Sequence, residues 1–377
     1  MKPGSKARPA RRRLSIPNLR WRDFDPNRKL GPKLDPLTTI IGIILIPTID
    51  QFKAFLSPVS IIPYIGISSY TTQTAPKMAD TQQWTIEKPW LETHCLLGEG
   101  PFYEEHTGTL RFVDIRKKQL HYVKVAEGSS SLKTIQLDIC PTVTANIAGV
   151  DPQERIALGV KYGLALLDVK KETYELLQHF NKPHNERLRS NDGGVDPHGR
   201  FWLGTMTDFG LGPFQVEGSV YRMDAKSNEV MLSDLMIPNT PGWSPDGKTL
   251  YITHSNAGEI FAFDYSLDTG EASNKRVFYT HDGPGAPDGF RVDVDGFLWS
   301  AVYGEGRVVR IDPATSKVVG EVRVPTKNAT CVQFIGTELA ITTAEDDEGE
   351  GASREYGGAV FKVDVGIRGL DLHEFKL

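Results

Sequence analysis

From about residue 90 onward, hydrophobic and polar positions alternate in short runs. Segments 218–224, 258–264, 306–312 and 358–364 each open on glycine, alternate with a period of two and end on aspartate. That period predicts half-buried antiparallel strands. A second element recurs ahead of them: a turn carrying Gly or Asp-x-x-Gly, then a short apolar run, at 108–112, 151–156, 196–202, 244–251, 293–299 and 336–340. With Gly108, Gln153, Gly199, Gly247, Gly296 and Gly336 as markers, the intervals are 45, 46, 48, 49 and 40 residues. A repeat of that length with a hairpin in each unit predicts a four-stranded blade, and six units predict an all-β, six-bladed β-propeller. No helical periodicity separates the strands, which counts against a parallel α/β sheet.

The first 77 residues break this pattern. Pro3, Pro9, Pro17, Pro26, Pro32, Pro36, Pro47, Pro58 and Pro63 interrupt every helical or strand run. The apolar stretch 37–49 is 13 residues long, short of the ~20 that span a bilayer. Residues 1–77 are therefore expected to be a basic, Pro-rich, non-globular extension: disordered, a targeting segment, or translated sequence upstream of a start at Met78. Residues 78–377 are expected to be the propeller domain. Charge divides at the same place. Residues 1–35 hold 11 Lys/Arg against 3 Asp/Glu, whereas 78–377 hold 30 against 44, a balance of −14. Such a surface repels nucleic acid and anionic membrane and suits a cation. Three cysteines, Cys95, Cys140 and Cys331, make neither a disulfide framework nor a thiolate zinc site. The expected setting is cytoplasmic, with mitochondrial or membrane-anchored placement as the alternative if 1–77 belong to the mature protein. Oligomeric state is left open.

The usual local motifs of catalysis are absent: no Gly-x-Ser-x-Gly, no phosphate loop, no His-Glu-x-x-His and no Cys-x-x-Cys. Propellers bind ligands where the innermost strands of all blades converge, so site residues come from several blades. Acids and amides beside glycine or proline stand out: Gly98-Glu99-Gly100-Pro101, then Arg189-Ser190-Asn191-Asp192-Gly193-Gly194, then Pro238-Asn239, then Pro287-Asp288-Gly289. Each alone reads as a turn-former. Together they supply, from four units, the oxygen ligands that a hard divalent cation prefers.

Those segments carry a resemblance. Residues 94–377 resemble the regucalcin, or senescence marker protein, and gluconolactonase family of six-bladed propellers, through the 94–101 segment, the 189–206 segment, Asn239 with Trp243-Ser244-Pro245-Asp246-Gly247-Lys248, the 261–276 segment, Pro287-Asp288-Gly289, 304–313 and 357–362. The resemblance implies one divalent metal (Ca²⁺, Zn²⁺, Mn²⁺ or Mg²⁺) held by Glu99, Asn239 and Asp288, and a sugar lactone contacted by Arg189 and Asn191. It implies hydrolysis of that lactone to the aldonic acid, the metal polarising the carbonyl and activating water. Asp288 doubles as candidate general base. The chain departs from the family pattern in two places. Asn239 is followed by Thr240-Pro241-Gly242, and Asp208 is the nearest counterpart of an acidic substrate contact. The competing readings are a calcium-binding regulatory propeller without turnover and an organophosphatase-like hydrolase.

Overall fold

Aspartate side chains organise the recurring turns. Asp196 accepts hydrogen bonds from the amides of His198 and Arg200 at 2.9 and 2.8 Å and from the Trp202 indole at 3.0 Å. Asp293 repeats the pattern with Asp295, Phe297 and Trp299 at 3.0, 2.9 and 2.9 Å. The carboxylate thus fixes the turn and anchors a fully buried tryptophan of the strand that follows.

The computed structural model describes residues 81–180 and 186–377, so the expected extension 1–77 lies outside the described residues. After β1 (Gln82–Thr85), the strands form six sheets. The first holds β2 (Gly98–Glu104), β3 (Thr109–Asp114), β4 (Gln119–Lys124) and β5 (Lys133–Gln136). The second holds β6 (Pro141–Ala145), β7 (Arg155–Val160), β8 (Gly163–Asp168) and β9 (Thr173–His179). The third holds β10 (Leu188–Val195), β11 (Phe201–Thr207), β12 (Gly218–Met223) and β13 (Asn228–Leu235). The fourth holds β14 (Pro238–Trp243), β15 (Thr249–His254), β16 (Glu259–Tyr265) and β17 (Ala272–Thr280). The fifth holds β18 (Ala286–Val292), β19 (Leu298–Tyr303), β20 (Arg307–Ile311) and β21 (Val318–Arg323), and the last β22 (Ala329–Ile335), β23 (Glu338–Thr343) and β24 (Val360–Asp364).

Apart from β1, which joins the fifth sheet at its edge, the strands of each sheet are antiparallel and sequential, and the first strand of each blade packs against the first strand of the next, β22 returning to β2. The ring is closed, and the six-bladed propeller expected from the repeat is the fold. The turns marked in the sequence join the first two strands of each blade, and the Gly-to-Asp runs are third strands. Both ends of the described chain staple the ring. β1 pairs in parallel with β21, and Leu91 bridges Val360, the first residue of β24. At the other terminus Phe375, fully buried, exchanges backbone hydrogen bonds with Asn146 and Ala148, so the last residues cover the end of the channel where the innermost strands finish. Near that end the fully buried Arg111 ties the first blade to the second, bonded to Glu104, to Thr144 at 2.7 Å and to Asn146 at 2.8 Å. Among the described residues no helix is long and apolar enough to cross a membrane.

Candidate functional site

In every blade the innermost strand slips register against its neighbour once: between Glu99 and Phe102, Pro141 and Val143, Ser190 and Gly193, Pro238 and Pro241, Pro287 and Phe290, and Ala329 and Cys331. A bulge spends residues without pairing them and re-aims their side chains. Glu99, Asn191, Asn239 and Asp288 lie at or inside four of these bulges, and Thr142 and Thr330 in the other two. These segments therefore sit within strands, not in the turns that their Gly, Asn, Asp and Pro content suggests. Proline is tolerated because an innermost strand has a ladder partner on one side only.

Glycine after the acid allows the close approach. Gly100 has φ +53°, and a Cβ there would meet Thr142 O at 2.9 Å. A Cβ on Gly289 would meet Cys331 Sγ at 2.3 Å. Neighbouring innermost strands can therefore converge beside Glu99 and beside Asp288.

The electrostatics are those of crowded acids. Glu99, Asp192 and Asp288 are all buried. Burial pushes the Glu99 carboxyl well above its usual range, and the charges of Asp288 and then Asp192 push it further. Asp288 is raised by burial and by Asp192, with Arg189 opposing. Asp192 is raised by burial, while Arg291 and a hydrogen bond from Thr240 act against the shift. Glu99 accepts the Gly100 amide at 3.1 Å and Asp288 that of Gly289, and among the described residues neither has an ion pair of its own. Unpaired buried carboxylates are costly. A hard cation would relieve that cost, and two carboxylates with an amide oxygen such as that of Asn239 are the kind of donors one prefers. Among the described residues no cluster of three or more His, Cys, Asp or Glu side chains is arranged as a metal site. The candidate set has two such side chains, so its third donor is the amide.

A polar chain runs beside these acids. Arg189, fully buried, donates through Nη1 to Asn191 Oδ1 at 3.0 Å and to Ser190 O at 2.7 Å. Asn191 Nδ2 donates to Asn239 Oδ1 at 3.0 Å and Pro238 O at 2.9 Å, and Asn239 Nδ2 donates to Ser255 Oγ at 2.7 Å. Arg189 Nε has no hydrogen-bond partner; the Asp208 carboxylate stands 3.9 Å away. The guanidinium lies over the Phe209 ring, 4.3 Å from its centroid. Asp208 is itself paired with Lys161 at 2.8 Å. The structure thus brings Arg189, Asn191 and Asn239 into one hydrogen-bonded chain, sets Glu99 and Asp288 within electrostatic reach of it, and puts Asp208 at its rim. Sequence reasoning did not assign Asp192 or Lys161. The signal for Asp192 was present in the same Ser-Asn-Asp-Gly-Gly run; for Lys161 there was none. Cys95, four residues before Glu99, faces away: its thiol is 4.0 Å from His121 Nε2, and burial pushes it up to about 12.

The model of the SMP-30/Gluconolactonase/LRE-like region matches residues 97–345. A regucalcin of Xenopus laevis is 35% identical over 289 residues, covering 73% of this chain and 93% of its own. A Bacillus subtilis protein, provisionally named a sugar lactone lactonase, is 30% identical over 281 residues, with coverage of 73% and 93%. The solved structure of an Agrobacterium tumefaciens regucalcin, described as a calcium-binding protein, superposes with a TM-score of 0.71 at 27% identity, over 78% of this chain and 99% of that one.

Proposed function

The chain belongs to the SMP-30/gluconolactonase/LRE-like family, and from that premise we propose that it hydrolyses a sugar lactone to the aldonic acid with one divalent cation at Glu99, Asn239 and Asp288. The observation that carries the reading is the pair of buried, mutually repelling carboxylates Glu99 and Asp288, set within reach of Arg189. A cation bound there supplies Lewis-acid polarisation of the lactone carbonyl and a water of lowered pKa. Asp288 takes the proton of the attacking water and returns it to the ring oxygen as the acyl C–O bond breaks. Arg189, fixed by Asn191 and Phe209, supplies a buried positive charge that stabilises the oxyanion developing on the lactone. Asn191 orients the Asn239 amide and contacts the sugar. Asp208, held by Lys161, accepts a sugar hydroxyl.

The test is proton release from a panel of aldonolactones by chelator-treated protein, with Ca²⁺, Mn²⁺, Mg²⁺ or Zn²⁺ then restored. Turnover that returns with metal and is lost in Asp288→Ala is expected; chelator-resistant turnover, or full activity in that variant, overturns the reading. The Agrobacterium relative described as calcium-binding favours one alternative, a metal-binding propeller without turnover. Binding of Ca²⁺ by calorimetry with no lactone hydrolysed under any metal selects it.

A further inference from the structure

The candidate site has a neighbour on the same face. β3 runs antiparallel to β2, so the turn after it returns to the end of the channel where Glu99 lies; Ile115 N bonds Leu97 O there at 3.0 Å. Between that turn, the segment entering β6, the turn joining β7 to β8 and the loop after β11 is a cavity of about 430 Å³, within the range that holds small organic ligands. Tyr162, Tyr174 and Phe209 line it together with Asp208, Lys161 and Arg116. Two of these walls are shared with the candidate site. Asp208 Oδ1 lies 3.9 Å from Arg189 Nε while its Oδ2 is 2.8 Å from Lys161 Nζ, and Phe209 packs under the Arg189 guanidinium. Arg189, fully buried behind that wall, therefore links it to Asn191 and the candidate site.

We propose that this cavity is a subsite for a second sugar ring, so that the preferred substrates are aldonolactones carrying a glycosyl unit; the inference rests on the lactone-hydrolase reading for the reacting ring. The lining discriminates among ligand chemistries. An apolar appendage would strip water from Asp208, Lys161 and Arg116 without replacing it. An anionic one would meet the Asp208 and Asp138 carboxylates on the same walls, and the cations there are largely spoken for: Lys161 pairs with Asp208 at 2.8 Å and Glu186 at 3.2 Å, Arg116 with Glu345 at 2.5 Å, and Lys118 Nζ donates to Asp138 O at 2.9 Å. A sugar ring offers what remains: C–H faces for the Tyr162 and Tyr174 rings and hydroxyls for the fixed carboxylate and ammonium.

The test compares the full chain on glucono-1,5-lactone and on cellobiono-, maltobiono- and melibiono-1,5-lactone, which differ in linkage. At least one glycosylated lactone is expected to exceed gluconolactone in kcat/KM by about tenfold. Tyr174→Ala and, as a second variant, Tyr162→Ala are expected to shrink that ratio towards one. Parity or a deficit across the whole panel, with gluconolactone turned over, overturns the subsite and leaves the hydrolase reading standing. If no lactone is hydrolysed, that reading fails, and the cavity is judged by saturation-transfer NMR with cellobiose and maltose. Binding that Tyr174→Ala abolishes supports a sugar site; no binding overturns it.

Discussion

Asn191 Nδ2 donates to Asn239 Oδ1 across 3.0 Å, tying the innermost strand of the third blade to that of the fourth. The bond fixes which face of the Asn239 amide presents oxygen, and Ser255 secures the nitrogen at 2.7 Å. Were Asn239 the metal donor proposed above, its amide would be pre-oriented by these bonds, and loss of such support around a metal typically costs roughly 10- to 100-fold. Asn191→Ala is expected to reduce both Ca²⁺ affinity, read by calorimetry, and kcat/KM on an aldonolactone. A variant that lowers kcat/KM while leaving Ca²⁺ affinity intact would confine Asn191 to substrate contact.

The crowding of Glu99, Asp192 and Asp288 makes a prediction about stability as well as activity. Without a cation these carboxyls repel one another. Asp288→Asn removes one charge at nearly constant volume, so the metal-free variant is expected to resist urea better than the metal-free parent while losing turnover. Divalent metal should stabilise the parent, by about 2.7 kcal/mol at a hundredfold excess over Kd, and should leave Asp288→Asn almost unmoved. Equilibrium unfolding in urea, with chelator and with Ca²⁺, checks both.

The repeat that defines the blades was plain in the sequence because it lies in second and third strands. There a buried Trp202 or Trp299 and a turn aspartate recur in register with alternating side chains. The innermost strands were harder to read. Leu188–Val195 reads Leu-Arg-Ser-Asn-Asp-Gly-Gly-Val and Pro238–Trp243 reads Pro-Asn-Thr-Pro-Gly-Trp, compositions that locally favour turns. They are strands because each pairs along one side with the second strand of its blade, and the bulge absorbs the residues that cannot pair. Candidate site residues were visible through their chemistry and a family resemblance, not through secondary structure. Lys161 stayed hidden because its partner Asp208 is 47 positions away in the chain.

Gly100 tests the convergence of the strands. At φ +53° an alanine pays about 1–2 kcal/mol for the left-handed backbone. Its Cβ would also stand 2.9 Å from Thr142 O and 3.1 Å from Val143 Cα, forcing β2 away from β6 beside Glu99. Gly108 provides the control, with φ +63° and nothing within 4 Å of its Cβ. Gly100→Ala is expected to destabilise more than Gly108→Ala and to lower activity, whereas Gly108→Ala should show only the backbone cost. Urea midpoints and lactone turnover of the two variants separate the contributions.

His121 sets an acid limit on the fold. Its ring stacks on Phe112 at 4.9 Å, its Nδ1 lies 2.8 Å from Thr134 Oγ1, and burial pushes its pKa from 6.5 down to about 4. Between those two values the unfolded chain binds a proton that the native imidazole refuses. Stability from this group is therefore complete above pH 6.5 and is lost as pH falls towards 4; the shift corresponds to about 3 kcal/mol at most. The raised carboxyls of Glu99 and Asp288 slope the other way, because native protons retained above the ordinary carboxyl range make stability fall as pH rises. A raw pH profile mixes the two. Subtracting the profile of His121→Gln from that of the parent, both saturated with Ca²⁺, isolates the histidine, and the difference is expected to change between pH 6.5 and 4 and to be flat above. A flat difference throughout would mean that the native fold admits the imidazolium at no cost.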